Sequence, residues 1–304
     1  MPPMRPILRD IYHVGVALVL VLVILGLITW SGFLSCRDIP GWCDVYYGIK
    51  GSPKTLIVFG DDGLGNPDWL AQQLRDPNGA HASNLSRQQL DFVSAGNLKE
   101  FDLVIVTRAR TMPTEKLKAF MEYADAGGRL IWTGDAGTGL TNEDQFLYAD
   151  DLDENAGHEI LTPWARKDSE TNTPIRFDQY ISAAYQGNWC EVRECAIEQQ
   201  VGLLVPETGA DHPLIFGIAN NLNLYGDFSL VRELGIGSTI VLSVDTQTLV
   251  RDTGGKELGR VFPLIITSGV GEKIVYYAVP PEYYGAPPMT YKLLLENLYV
   301  GMLR

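Results

Sequence analysis

The sequence predicts an α/β fold: a doubly wound, mainly parallel sheet with flanking helices, preceded by one N-terminal transmembrane helix. Three observations predict it. A charge-free run stands near the N-terminus, from Val14 to Leu34. From Thr55 onwards, short β-rich runs alternate with amphipathic helical stretches, the rhythm of a parallel sheet covered on both faces. The chain has 304 residues, 46% of them hydrophobic, with 31 glycines, which is enough to bury at least one good core.

The run "VGVALVLVLVILGLITWSGFL" is long enough, at about 1.5 Å per residue, to match a hydrocarbon core of about 30 Å. An uncleaved signal anchor is the reading it favours, with membrane lipid as the partner of residues 14–34. A cleaved signal peptide competes, but its apolar region normally covers only about 7–15 residues and ends in small residues. A lipoprotein signal through Cys36 also competes, although Leu34 fits poorly where a small residue is wanted. Arg5 and Arg9 precede the run with only Asp10 against them, so the positive-inside bias places residues 1–13 in the cytoplasm and the bulk of the chain outside. The four cysteines fall into two close pairs, Cys36 with Cys43 and Cys190 with Cys195, as expected of disulfides in an exported chain. Local pairing is the simplest of three connectivities, and binding of a metal by the four thiols is the alternative. Asn84-Leu85-Ser86 is an acceptor sequon for glycosylation in such a compartment.

Residues 35–54 read as a juxtamembrane segment broken by Pro40, Gly41, Gly48, Gly51 and Pro53. An α/β domain then fills 55–304. "TLIVF" is a buried strand, and "PDWLAQQLRD" a helix capped by Asn66 with Pro67 at its first position. "QLDFVSA" and "DLVIVT" follow as strands. "MPTEKLKAFMEYADAGG" is a helix with Leu117, Phe120, Met121 and Ala124 on one face, closed by Gly127-Gly128. "RLIWTG" is a fourth strand. From about 138 to 200 the rhythm is lost, and no Lys or Arg occurs between Arg129 and Arg166. This acidic and aromatic stretch reads as a disulfide-pinned insertion. Strand signals return in "DFSLVREL", "STIVLSVDT", "RVFPLIITS" and "KIVYYAVP", with "TGGKE" as a hairpin turn. A closing helix carries Tyr291, Leu294, Leu295, Leu298 and Met302 at its apolar positions.

Three stretches together resemble the class I glutamine amidotransferase-like superfamily, flavodoxin-like in fold, and within it diverged relatives that include trehalose-utilisation-type domains and membrane-anchored proteins. They are Leu98–Gly137 with its strand, Gly-Gly-terminated helix and strand; "DHPLIFGI"; and "PLIITSGVGEKIVYYAVPPEYYG" followed by "YKLLLENLYVGML". The resemblance covers roughly 55–137 and 201–304. It implies the fold. Active members carry a cysteine at an elbow after a strand, helped by a histidine, and no cysteine matches here, so glutaminase activity does not carry over. Catalytically silent members act as binding or scaffold domains near membranes.

The residues themselves point to little catalysis. Gly60, Gly63 and Gly65 are spaced G-x-x-G-x-G, which is neither a dinucleotide fingerprint nor a Walker A loop, and Asp61 and Asp62 would repel a phosphate. Both aspartates lie past the carboxyl end of the first strand, where open α/β sheets place ligands, and Asp135 lies past the fourth. Convergence of Asp61, Asp62 and Asp135 would suit Ca²⁺ or Mg²⁺; otherwise they bond loop amides or face water. "DLDENAG" begins like an EF-hand, but Ala156 and Thr162 replace the turn glycine and the bidentate glutamate, which leaves a loop-type calcium site or a solvated acidic face. "WTGDAGTG" carries Asp135 and Ala136 where an elbow would need a nucleophile. His13, His81, His158 and His212 form no spaced metal pair.

A net charge of -13 argues against a nonspecific grip on nucleic acid. The expectation is a membrane-anchored, extracytoplasmic, non-catalytic binding or scaffold domain with a protein partner, carbohydrate being the other ligand class. Trp164, Tyr180, Tyr185 and Trp189 form the expected partner surface, unless they fill the insertion's own core. The alternative is a metal- or carboxylate-dependent hydrolase of envelope glycans working through Asp61, Asp62 and Asp135.

Overall fold

A computed structural model describes residues 4–30, 39–76, 80, 82–193, 195, 199–209, 212–218, 222–235, 237–283 and 288–303. The chain divides into an N-terminal unit ending at Ser52 and a second unit spanning Pro53–Leu303.

In the first unit, helix α1 (Met4–Trp30) contains the window Tyr12–Thr29, of mean hydropathy 2.5, which by length and composition is able to cross a membrane. The juxtamembrane stretch is not all irregular. Between Gly41 and Gly51 only Gly48 interrupts the run, and α2 (Trp42–Lys50) forms there. Its Trp42 Nε1 donates to Thr29 Oγ1 at 2.9 Å. Cys36 and the side chain of Cys43 lie outside the described residues, so their expected pairing does too.

The second unit opens with the predicted alternation: β1 (Thr55–Phe59), α3 (Pro67–Arg75), β2 (Leu85–Gln89), α4 (Ala95–Leu98), β3 (Leu103–Thr107), α5 (Thr114–Asp125) and β4 (Arg129–Thr133). Asn66 caps α3 as expected, its Oδ1 accepting from Trp69 N at 3.0 Å. The second strand is displaced from "QLDFVSA" to Leu85–Gln89. It is an edge strand paired only with β1, so its sequence is polar, and Leu90 and Val93 reach the core from the turn that follows it. Asn84, the sequon residue, is exposed just before it.

Next come β5 (Gln145–Phe146), β6 (Ala165–Lys167), β7 (Pro174–Arg176), α6 (Phe177–Ile181), β8 (Ala183–Asn188), α7 (Trp189–Val192), β9 (Gln200–Pro206), β10 (Asn223–Tyr225) and β11 (Ser229–Glu233). The long hairpin β12 (Thr239–Arg251) and β13 (Glu257–Ser268), then β14 (Ile274–Tyr277) and α8 (Pro288–Leu303), complete the unit. The nine-stranded sheet has the order β10-β9-β12-β13-β14-β4-β3-β1-β2. The run β14-β4-β3-β1-β2 is wholly parallel, and the remaining pairings are antiparallel, so only β13 and β9 run against the other strands. Leu294, Leu295, Leu298 and Met302 of α8 are buried, as the spacing predicted.

The insertion is not a separate body. Strands β5, β6 and β7 form a small sheet, but β8 pairs antiparallel with β11 from the later part of the chain. Its aromatics correct the expected partner surface: Trp164 is 0% and Trp189 7% exposed, both within the main core, and Tyr180 and Tyr185 are half-buried against it. These rings bring too much apolar area to stay in water when the sheet's own core is open to receive them. Cys190 and Cys195 are disulfide-bonded, as local pairing predicted.

The acidic run is largely engaged within the protein. Asp151 pairs with Lys167 at 2.7 Å, Asp150 meets His158 Nδ1 at 2.9 Å, and Asp168 pairs with Lys118. Asp144 accepts from Thr114 N at 2.9 Å at the start of α5, and Asp153 from Asn155 N at 3.0 Å.

Candidate functional site

The carboxyl ends of β1, β3 and β4 carry three loops that are bonded to one another. Gly60 N donates to Arg108 O at 3.0 Å, Arg108 N to Leu64 O at 2.9 Å, and Arg110 N to Asp62 O at 3.0 Å. The glycines allow this approach. A Cβ at Gly63, where φ is +101°, would lie 2.8 Å from Asp135 Oδ1, and one at Gly65, where φ is +128°, would lie 2.0 Å from Thr107 Oγ1. The G-x-x-G-x-G spacing therefore serves contact between loops.

The three predicted aspartates go to different partners. Asp61 Oδ1 accepts from Gln89 Nε2 at 3.2 Å. Asp62 accepts from Thr111 N at 2.9 Å and from Thr111 Oγ1 at 2.7 Å. Asp135, 1% exposed, lies beneath the first loop: its Oδ1 accepts from Leu64 N at 2.8 Å and its Oδ2 from Asn188 Nδ2 at 3.0 Å, with Arg110 Nε at 3.8 Å. Among the described residues, no group of three or more His, Cys, Asp and Glu side chains is arranged to hold a metal ion. His212 Nε2 lies 3.3 Å from Glu272, and His81 lies outside the described residues.

Residues that sequence reasoning did not single out complete the arrangement. Asn188, 3% exposed, accepts from Ser229 Oγ at 3.0 Å while donating to Asp135. Glu191 accepts from Arg110 Nη2 at 2.8 Å and from Asn188 N at 3.2 Å. Burial opposes the Arg110 charge, and the Glu191 carboxylate more than offsets it, so the guanidinium pKa is raised. Burial, with Glu191 and Asp135 adding to it, pushes the Tyr185 phenol well above its usual range, and its Oη is buried without a hydrogen-bond partner. The run Asn188-x-x-Glu191 has the form of a capping box, the one signal that could have drawn attention to this corner.

Three further groups fasten the strand ends. Arg166, 0% exposed, reaches from β6 to donate to Gly137 O at 2.6 Å, Gly139 O at 3.0 Å, Pro163 O at 3.1 Å and Met112 O. Burial lowers its pKa to about 10, against the pull of Asp144. Trp132 Nε1 and Trp164 Nε1 both donate to Ala136 O, at 2.8 and 2.7 Å. Glu282, 1% exposed, accepts from Asn66 N at 2.6 Å and Thr107 Oγ1 at 3.1 Å; its other oxygen has no partner among the described residues, and burial pushes its pKa up to about 7.

Chemically, the elbow after β4 presents a buried carboxylate with both oxygens bonded to protein donors. Such a group is held in place and, at 1% exposed, is withdrawn from solvent. The arrangement joins the loops after β1 and β3 and the insertion to the end of β4.

No protein-family model matches the chain, and no curated protein sequence matches it. Solved structures do. A putative ThuA-like protein from Bacteroides uniformis superposes with a TM-score of 0.54 at 12% identity, over 82% of this chain and 92% of that one. A β-galactosidase from Rahnella sp. R3 gives a TM-score of 0.52 at 13% identity over 88% of this chain, which spans only 35% of that larger protein. At such identities the likeness carries the fold alone, an α/β architecture consistent with the one that the sequence resemblance implies.

Proposed function

We propose that the protein is a membrane-anchored, extracytoplasmic scaffold domain that binds a protein partner as an accessory subunit of a membrane or envelope complex. The observation that carries this reading is Asp135: at the elbow after β4, where nucleophilic catalysis would need a nucleophile, the side chain is 1% exposed and bonded to Leu64 N and Asn188 Nδ2. The insertion supplies Asn188 to this end of the sheet, where open α/β sheets place ligands. The apolar α1 supports the anchor, and the Cys190–Cys195 disulfide and Arg5 and Arg9 support an exported second unit.

Affinity capture of the full chain from detergent-solubilised native membranes tests the reading. A stoichiometric companion is expected; a chain that purifies alone through repeated gentle solubilisation counts against a scaffold. Thiol labelling from each side of the membrane, before and after reduction, tests the orientation. Cysteines reactive from the cytoplasmic side without reduction would overturn it.

A further inference from the structure

The opposite ends of the same strands hold a different feature. A cleft of about 680 Å³ opens where β4 and β14 begin, walled by Ala124, Asp125, Tyr180, Val270, Lys273 and Ile274. Its volume is in the range of small-molecule sites, about 300–1,000 Å³.

Lys273 lines the cleft, and Arg129 stands beside it on the neighbouring strand. Leu130 pairs with Ile274 in the parallel ladder, so the preceding residues, Arg129 and Lys273, are also neighbours across the strands and carry like charges side by side. Both are half-buried. Neither forms an ion pair among the described residues, although the protein carries a net charge of -13. Burial, with Arg129 beside it, lowers the Lys273 pKa. The acid on the cleft wall forms no ion pair with it among the described residues; both oxygens of Asp125 instead accept from Tyr180 Oη, at 2.9 and 3.0 Å. The Tyr180 phenol is pushed up to about 12 by burial and by Asp125, so it stays a donor to that carboxylate.

Like charges on neighbouring strands oppose each other, and a counter-charge lying between them removes the opposition. The methyl-bearing side chains of Ala124, Val270 and Ile274 beside that position offer contact to an apolar body. From this juxtaposition we propose that the cleft binds a small organic carboxylate, its charged group on Lys273 in the field of the neighbouring Arg129 and its apolar body against Ala124, Val270 and Ile274. The site stands apart from the carboxyl-end network, and its existence does not depend on whether the domain is a scaffold.

The test uses the full chain in detergent micelles, with benzoate as the probe and benzamide as its neutral counterpart, read by calorimetry or ligand-observed NMR. Benzoate is expected to bind at one site and benzamide about ten-fold or more weaker, because only the carboxylate makes charge-assisted hydrogen bonds. Lys273→Gln is expected to weaken benzoate by a similar factor, while Lys273→Arg keeps affinity within about three-fold. Lys273 is half-exposed, so neither variant should unfold the domain, and circular dichroism of each checks this. Failure of benzoate to bind, equal binding of both probes, or unchanged benzoate affinity in folded Lys273→Gln would each overturn the proposal.

Discussion

At the carboxyl ends of β1, β3 and β4, Asp135, Arg166 and Glu282 are withdrawn from water and meet protein donors or acceptors. At the amino ends of β4 and β14, Arg129 and Lys273 stay half in water and, among the described residues, form no ion pair with a carboxylate. The difference follows from what burial costs. A charge taken fully out of water costs several kcal/mol unless the chain surrounds it with partners, whereas a half-exposed charge is carried by solvent and needs none. The end of the sheet where this fold type keeps ligands is therefore spent on holding loops together, and unmatched charge remains at the other end. Removing the fully partnered Arg166 or Asp135 should then destabilise the protein at one end, and removing Lys273 should relieve it at the other.

The largest effect is expected from Arg166→Ala. Four backbone carbonyls, of Met112, Gly137, Gly139 and Pro163, lose their donor in a buried setting, and a loss of about 3–5 kcal/mol in urea unfolding is expected. A loss below about 1 kcal/mol would mean that water replaces the guanidinium and that this end is wetter than described.

Glu282 gives the next effect and a pH signature. Its pKa is raised from 4.5 to about 7 in the folded state by burial. Below about pH 4.3 folded and unfolded states both hold the proton, so no penalty arises. Between that pH and about 7 only the folded state keeps the proton. Stability therefore falls as pH rises through this window, by on the order of 3 kcal/mol in all, and is level above it. Carboxylates such as Asp144 and Glu272, whose pKa values are lowered, lose stability in the acid direction instead, so the informative quantity is the difference between wild type and Glu282→Gln. That difference should grow in favour of the variant from about pH 4.5 to 7, and parallel curves would show that Glu282 is not buried as an acid.

Asp135→Asn comes third, at about 1–3 kcal/mol. The new amide keeps an acceptor for Leu64 N but turns a donor toward Asn188 Nδ2, whose own Oδ1 is occupied by Ser229. A hydrolase that used Asp135 would lose activity with little change in stability; a positioning carboxylate loses stability. An unchanged unfolding midpoint would weaken the scaffold reading at its central residue.

How much of this was legible in the sequence depends on how local each signal is. Period and capping are local, so the parallel strands, the Asn66 cap, the closing helix and the Cys190–Cys195 pair could be read directly. Edge strand β2 was misplaced because an edge buries little and carries a weak apolar pattern. The position of Asp135 after β4 was legible, but its partners were not. Asn188 comes from 53 residues away and Glu282 reaches Asn66 across 216, and no spacing rule encodes contacts of that range. Aromatic content in the insertion suggested a surface, and only the pairing of β8 with β11 reveals that Trp164 and Trp189 belong to the main core.

The smallest effect tests the other side of the comparison. In the absence of a ligand, Lys273→Gln removes one of two like charges on neighbouring strands, Arg129 and Lys273, and should raise stability by a few tenths of a kcal/mol, discounted for screening because both groups are half-exposed. The gain should shrink as salt is raised from about 20 mM to 500 mM, since the Debye length shortens several-fold over that range. A variant that is instead destabilised would mean that the ammonium already serves the fold, for example at the nearby carboxyl end of α5, where a Lys side chain favours the helix dipole. In that case the charge at the amino ends is not left over, and the contrast between the two ends of the sheet fails at its weaker side.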